Sequence, residues 1–248
     1  MINNNRYLSG DYIKKNHSYH AEDSLFKWKN FINILKKTGF NFDKINSITE
    51  IGCGVGKILI EANKSNLFKN ECKFEGYDIN PDAIKLAKKN SKFISFFNED
   101  FININTTKKD LIIAADVFEH VQDKYSFLKK LSEKSNFFLF NIPLEISLLS
   151  MTRKKNIFEH SYNNVGHLHF YTKRTSLLLL EKSGFKILHC NLVDNRFREL
   201  KRKKSFMSLL IFIPQFILGL FNKNLACAIF GGYSLVVLAT VSYTHLRA

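Results

Sequence analysis

The chain has 248 residues, 45% hydrophobic and 14% aromatic, with three prolines, which is enough apolar content for one full core and excludes disordered, collagenous and low-complexity classes. The formal charge of +15 at first suggests nucleic acid, but most lysines (Lys14, Lys27, Lys36, Lys85, Lys88, Lys129 and Lys134) are scattered as polar helix faces and not gathered against a phosphate track. Nucleic acid is therefore not an expected partner.

The amino terminus, Met1 to Arg6, lacks the apolar core of a signal peptide, so a cytoplasmic location is expected. Cys53, Cys72, Cys190 and Cys227 form no CxxC pair and give neither a zinc site nor a disulfide framework, as suits a reducing compartment. Residues 1–40 are read as an N-terminal helical cap. Its helix covers Glu22–Lys37, with Leu25, Trp28, Phe31, Ile32 and Leu35 on one face.

From there strands and helices alternate. Strands are expected at Ser47–Ile51, Lys73–Tyr77, Phe93–Phe97, Leu111–Ala115, Phe137–Asn141, Phe185–Leu192 and Tyr233–Leu238. Helices are expected at Gly56–Asn63, Pro81–Asn90, Lys124–Lys134 and Thr172–Lys182, with Asn80 capping the second and Gly184 stopping the last. Such alternation gives an α/β, Rossmann-like, doubly wound sheet with helices on both faces, spanning residues 41–240.

A basic and apolar insert, 196–224, interrupts this domain. Arg196, Arg198, Lys201, Arg202, Lys203 and Lys204 precede Ser205–Phe221, which is apolar on every side and broken by Pro214 and Gln215. A pair of short helices covering the sheet or the substrate pocket, or forming a homodimer contact, is the first expectation. Peripheral contact of 196–221 with the inner face of a membrane is the second. The last residues, 241–248, resemble translated adaptor sequence and are read as a non-native tail.

The densest chemical signal is Glu50-Ile51-Gly52-Cys53-Gly54-Val55-Gly56-Lys57, a strand entering a glycine-rich turn that opens a helix. The third glycine comes one place too early for the dinucleotide fingerprint G-x-G-x-x-G, which disfavours nicotinamide cofactors. Twenty-six residues after Gly52, Asp78 ends the second strand, where a ribose diol could donate to its carboxylate. Twenty-two residues later Asp100 and Phe101 follow the third strand, offering an acceptor for an adenine amino group and an aromatic beside its ring.

A glycine turn and two acids, each one strand-helix unit apart, resemble the class I S-adenosylmethionine-dependent methyltransferases. The resemblance continues through Asp110–Val121, Phe140–Leu144, Gly166–Thr172 and Phe230–Val237. It implies a seven-stranded, mostly parallel sheet whose last strand is antiparallel. It also implies S-adenosyl-L-methionine as cofactor, held by Glu50, Gly52, Gly54 and Gly56 at its methionine part, Asp78 at the ribose, Asp100 and Phe101 at the adenine, with Asp116 in the same set.

Methyl transfer to a hydroxyl or amine also needs a group to take a proton, and His120, His167 and His169 are the candidates. Asp116, Glu119 and His120 stand at i, i+3 and i+4, resembling a segment that ubiquinone-type O-methyltransferases associate with a divalent metal; no metal is assigned here. The Pro-Pro-aromatic turn of amino-methylating nucleic-acid enzymes is missing after strand four, where Asp116-Val117-Phe118-Glu119 stands. The expected acceptor is an O or N atom of a small metabolite or a glycan or lipid precursor. A non-catalytic binding module and a membrane-surface enzyme are the alternatives.

Overall fold

The computed structural model describes residues 23–153, 157–196, 198 and 206–241, with backbone alone for 206–209. Helix α1 (Ser24–Lys37) leads into β1 (Ser47–Ile51), α2 (Lys57–Lys64), β2 (Lys73–Tyr77), α3 (Pro81–Asn90), β3 (Ser95–Phe97) and β4 (Lys109–Ala115). A 3-10 turn at Phe118–His120 precedes α4 (Lys124–Ser132), β5 (Ser135–Leu144), α5 (Leu148–Thr152) and α6 (Ile157–His160), which runs on as a π turn through Ser161–Val165. Then come α7 (Lys173–Lys182), β6 (Phe185–Asp194), α8 (Phe206–Phe221), α9 (Lys223–Phe230) and β7 (Tyr233–Val241).

The strands form one sheet in the order β3-β2-β1-β4-β5-β7-β6. The first five are parallel, and β7 runs antiparallel to both β5 and β6. Alternation along β4 explains why the sheet is covered on both faces: Leu111 and Ile113 enter one apolar layer, Ile112 and Ala114 the other. One layer holds Trp28, Phe31, Leu59, Ile84 and Phe96. The opposite one holds Phe118, Phe138, Phe140, Tyr171 and Phe185.

Local chemistry sets the element ends. The Asn80 side chain accepts from the amides of Asp82 and Ala83 at 3.0 and 3.1 Å and leaves Pro81 in the first turn, where its missing N–H costs nothing. Thr172 and Thr175 exchange side-chain and backbone bonds at the start of α7.

Several expectations need correction. The buried face of α1 is Trp28, Phe31, Ile34 and Leu35, with Leu25 turned outward, so α1 packs into the sheet's own core; residues 1–22 of the expected cap lie outside the described part. β3 starts at Ser95 because Phe93 is exposed. Val241 is the last residue of β7, paired with Phe185, so the expected tail began one residue early; residues 242–248 lie outside the described part. α8 passes through Pro214, which removes one backbone bond to the half-exposed Leu210 turn without ending the helix. The insert then extends to Phe230 as α9, capped by Asn222.

Candidate active site

A cavity of about 330 Å³ opens at the C-terminal ends of β1, β2 and β4, where the strand order reverses. In an open α/β sheet that is where backbone loops diverge and leave a crevice. The turn after β1 supplies its floor. Gly54 has φ +52° and nothing within 4 Å of where a Cβ would project, so the backbone itself faces open space. Gly56 also has positive φ, yet a Cβ there would sit 2.3 Å from the Phe96 ring, and it does not line the cavity. Its smallness serves the packing of α2 against β3, a correction to the expectation that all three glycines surround a ligand.

Asp78 is fixed by the turn it faces. Oδ2 accepts from the Gly54 amide at 2.8 Å and Oδ1 from the Asn80 amide at 2.8 Å. Burial pushes its carboxyl up, while those two amides pull it back. Each oxygen keeps a second lone pair for a ligand in the cavity. Asp100 lies on the rim with Oδ2 accepting from Asn103 at 2.8 Å. Phe101 touches the cavity but is 1% exposed and packs on Tyr77 at 4.8 Å, so it is chiefly a core residue.

Two further acids line the same cavity. Glu50 is buried with Oε2 unpartnered, and burial drives its carboxyl well above the usual range. Asp116, in the left-handed region at φ +57°, accepts from Asn141 Nδ2 at 2.6 Å and pairs with Lys27 Nζ at 2.6 Å. Burial alone would raise its carboxyl, but Lys27 and Asn141 hold it below the ordinary value. Lys27 is thus a buried partner and not part of a solvated helix face.

The histidines divide. His120 and His167 line the cavity with ring centroids 4.8 Å apart. His120 donates from Nδ1 to the Gly166 carbonyl at 3.1 Å, and burial, helped by His167, pushes its pKa down to about 4. His167 donates from Nδ1 to Glu145 Oε2 at 2.7 Å, and Ser161 donates to the other Glu145 oxygen at 2.6 Å. His169 is not in the cavity wall; its Nε2 donates to Val121 O at 2.9 Å. Asp116, Glu119 and His120 do not form one ligand face, because the segment is a 3-10 turn and Asp116 turns to Lys27. Glu119 is fully buried with neither carboxylate oxygen hydrogen-bonded, and it lies nearer His120 and His167.

Lys27, Asn141 and Glu145 were not singled out from sequence. Their roles rest on partners 89, 25 and 22 residues away, and no local spacing carries such contacts. The one usable signal was position, since Asn141 and Glu145 flank the end of β5 at the same sheet edge as Asp78.

Strand order, the antiparallel seventh strand and a cavity over the glycine turn are the architecture of a class I methyltransferase. The family described as methyltransferase domain matches residues 20–190, and the chain belongs to it, as a class I S-adenosylmethionine-dependent methyltransferase. A curated relative from Methanocaldococcus jannaschii, named "Putative protein N5-glutamine methyltransferase", is 39% identical over 97 residues, which span 38% of this chain and 43% of that protein. The fold is also that of magnesium protoporphyrin IX methyltransferase from Synechocystis with bound SAH, at TM-score 0.57 and 14% identity, over 92% of this chain and 86% of that one. Phosphoethanolamine N-methyltransferase 2 of Haemonchus contortus superposes at TM-score 0.60 and 14% identity, over 94% of this chain and 59% of that one.

Proposed function

We propose that the cavity holds S-adenosylmethionine with its ribose at Asp78, its adenine beside Asp100, and its methionine part along Gly52, Gly54 and Glu50. The observation that carries this reading is the pairing of an open backbone at Gly54 with the Asp78 carboxylate bonded to that same amide. The unpartnered Glu50 oxygen on the same wall suits the cofactor's ammonium group, which would supply the hydrogen bond the buried oxygen lacks.

The bound cofactor supplies an electrophilic methyl group on a sulfonium. The chain's task is to align an acceptor for in-line attack and remove its proton. Pro143, Val165 and His167 also line the cavity, and the acceptor in this reading lies beside them. Because Glu145 can only accept from His167 Nδ1, Nε2 carries the lone pair that takes the proton as the new C–O or C–N bond forms and the C–S bond breaks. His120, with its pKa near 4, stays neutral and shapes the wall.

The acceptor in this reading is an O or N atom of a small metabolite or a glycan or lipid precursor. A protein glutamine amide, the acceptor in the archaeal relative's name, is the second reading. Calorimetry with S-adenosylmethionine and S-adenosylhomocysteine tests the cofactor assignment; absence of heat for both up to about millimolar concentration refutes it. Labelled cofactor incubated with fractionated metabolite and lipid extracts identifies the acceptor.

A further inference from the structure

α8 is built inside out for a surface helix. Its sixteen residues carry no charge, and its inner face is fixed to the fold: Gln215 is fully buried and donates to the Gly231 carbonyl at 3.1 Å, and Leu218 packs on the core. The outer face is also apolar. Leu210, Ile213, Phe216, Ile217, Leu220 and Phe221 are between 49% and 84% exposed, in a stripe spaced three and four residues apart. A stripe of this size in water is unfavourable unless something covers it.

Charge indicates what does. No acidic residue occurs from Leu200 to Ala248, while Lys201, Arg202, Lys203 and Lys204 directly precede α8 and Lys223 follows it. The first four lie outside the described residues and enter only by their charge and their place in the sequence. Arg196 and Arg198 are already engaged, by the Phe230 and Gly231 carbonyls and by Asp23, so they are not counted. A second copy offers no acid in this region to meet those cations. An anionic bilayer offers both an apolar interior for the stripe and negative headgroups for the basic residues.

We propose that α8 lies in the surface of an anionic bilayer, with its outer stripe among the acyl chains. Among the described residues no helix is long and apolar enough to cross a membrane, which fits contact in the plane of the surface. A second cavity, of about 400 Å³, lies beneath α8. Ile211 and Phe212 form its apolar side, the exposed Arg153 lies in its wall, and it reaches Pro143 and Glu145 beside His167. An amphiphile with an anionic head fits that lining and would reach the acceptor end of the active site from the bilayer side. The docking stands apart from the cofactor reading, whereas this acceptor class rests on it.

The test is co-sedimentation of the full chain with vesicles of phosphatidylcholine alone or mixed with phosphatidylglycerol, at low and high salt. Binding to the anionic vesicles, weakened about tenfold or more on exchanging Lys201, Arg202, Lys203 and Lys204 for Gln and likewise in Ile217→Glu, is the expected result. Circular dichroism and a cooperative thermal melt of each variant establish that it is folded, and if Ile217→Glu fails that control the lysine and arginine exchanges decide alone. Equal binding to neutral vesicles, or none to either, overturns the proposal. So does a wild-type dimer that Ile217→Glu converts to monomer, which would assign the stripe to a second copy. If vesicles bind but labelled methyl enters only water-soluble products, the docking holds and the amphiphilic acceptor is refuted.

Discussion

The turn after β1 and the connection between β6 and β7 stand at opposite extremes of constraint. In the first, the glycines are specified by what they touch or face: Gly52 by the Val117 side chain, Gly56 by the Phe96 ring and Gly54 by Asp78. In the second, only the inner side is specified, by Gln215 and Leu218, while six large side chains outside touch little of the fold. Composition misleads in both places. Acidic side chains, Glu50 and Asp78, stand beside the inner turn and apolar ones coat the outer helix, because each region is built for contact with something other than water.

Substitution effects should grade along that contrast. Gly56→Ala is expected to be the most severe, since its Cβ would need to displace the Phe96 ring and also adopt φ +74°, together costing about 3 kcal/mol; a melting temperature within a degree or two of wild type would contradict the packing role. Asp78→Ala leaves the fold intact and weakens cofactor binding at least about tenfold, because hydrogen bonds to a charged group contribute about 1.5–3 kcal/mol, and unchanged calorimetric affinity would remove Asp78 from the site. His167→Ala should lower kcat by about a hundredfold or more, with Glu145→Gln shifting the pH profile of kcat while cofactor affinity stays fixed.

Glu119→Gln tests a smaller effect with a definite sign. Burial raises the Glu119 carboxyl well above its ordinary value, so the folded protein holds a proton that the unfolded chain releases, and wild-type stability falls as pH rises through that interval. The Gln variant lacks this loss. Its stability relative to wild type should be greatest on the alkaline side and vanish below the usual carboxylate range, measured by urea titrations at both ends; a difference independent of pH would refute the assignment. Ile217→Glu should change stability by no more than about 0.5 kcal/mol in solution, as expected for a half-exposed position away from the core.

Most of the sheet and the order in which Glu50, Gly52, Gly54, Asp78 and Asp100 come to one cavity could be read from sequence because both rest on local patterns. β1 and β2 fall at their expected bounds since alternation and flanking turns encode them, and Asp78 stands where the end of β2 must present it. What escaped were contacts made by distant segments. Glycine looks the same whether it opens space for a ligand, as at Gly54, or closes it against a ring, as at Gly56. Phe101 does reach the cavity, but no sequence pattern records the Tyr77 ring on which it also packs. Lys27 looked like surface because its partner Asp116 arrives only after four strands have assembled.

The placement of β7 between β5 and β6 also orders events during synthesis. β7 is the last of the seven strands to leave the ribosome, yet it pairs along β5 from Phe137↔Thr240 to Leu144↔Tyr233 and supplies Leu235 and Val237 to one apolar layer, Val236 and Leu238 to the other. Until it emerges, β5 keeps an open edge, β6 has no neighbour, and the apolar α8 has already been made. A stalled or truncated nascent chain would therefore display its stickiest helix beside an unpaired strand, and it should depend on holdase chaperones far more than the finished protein does.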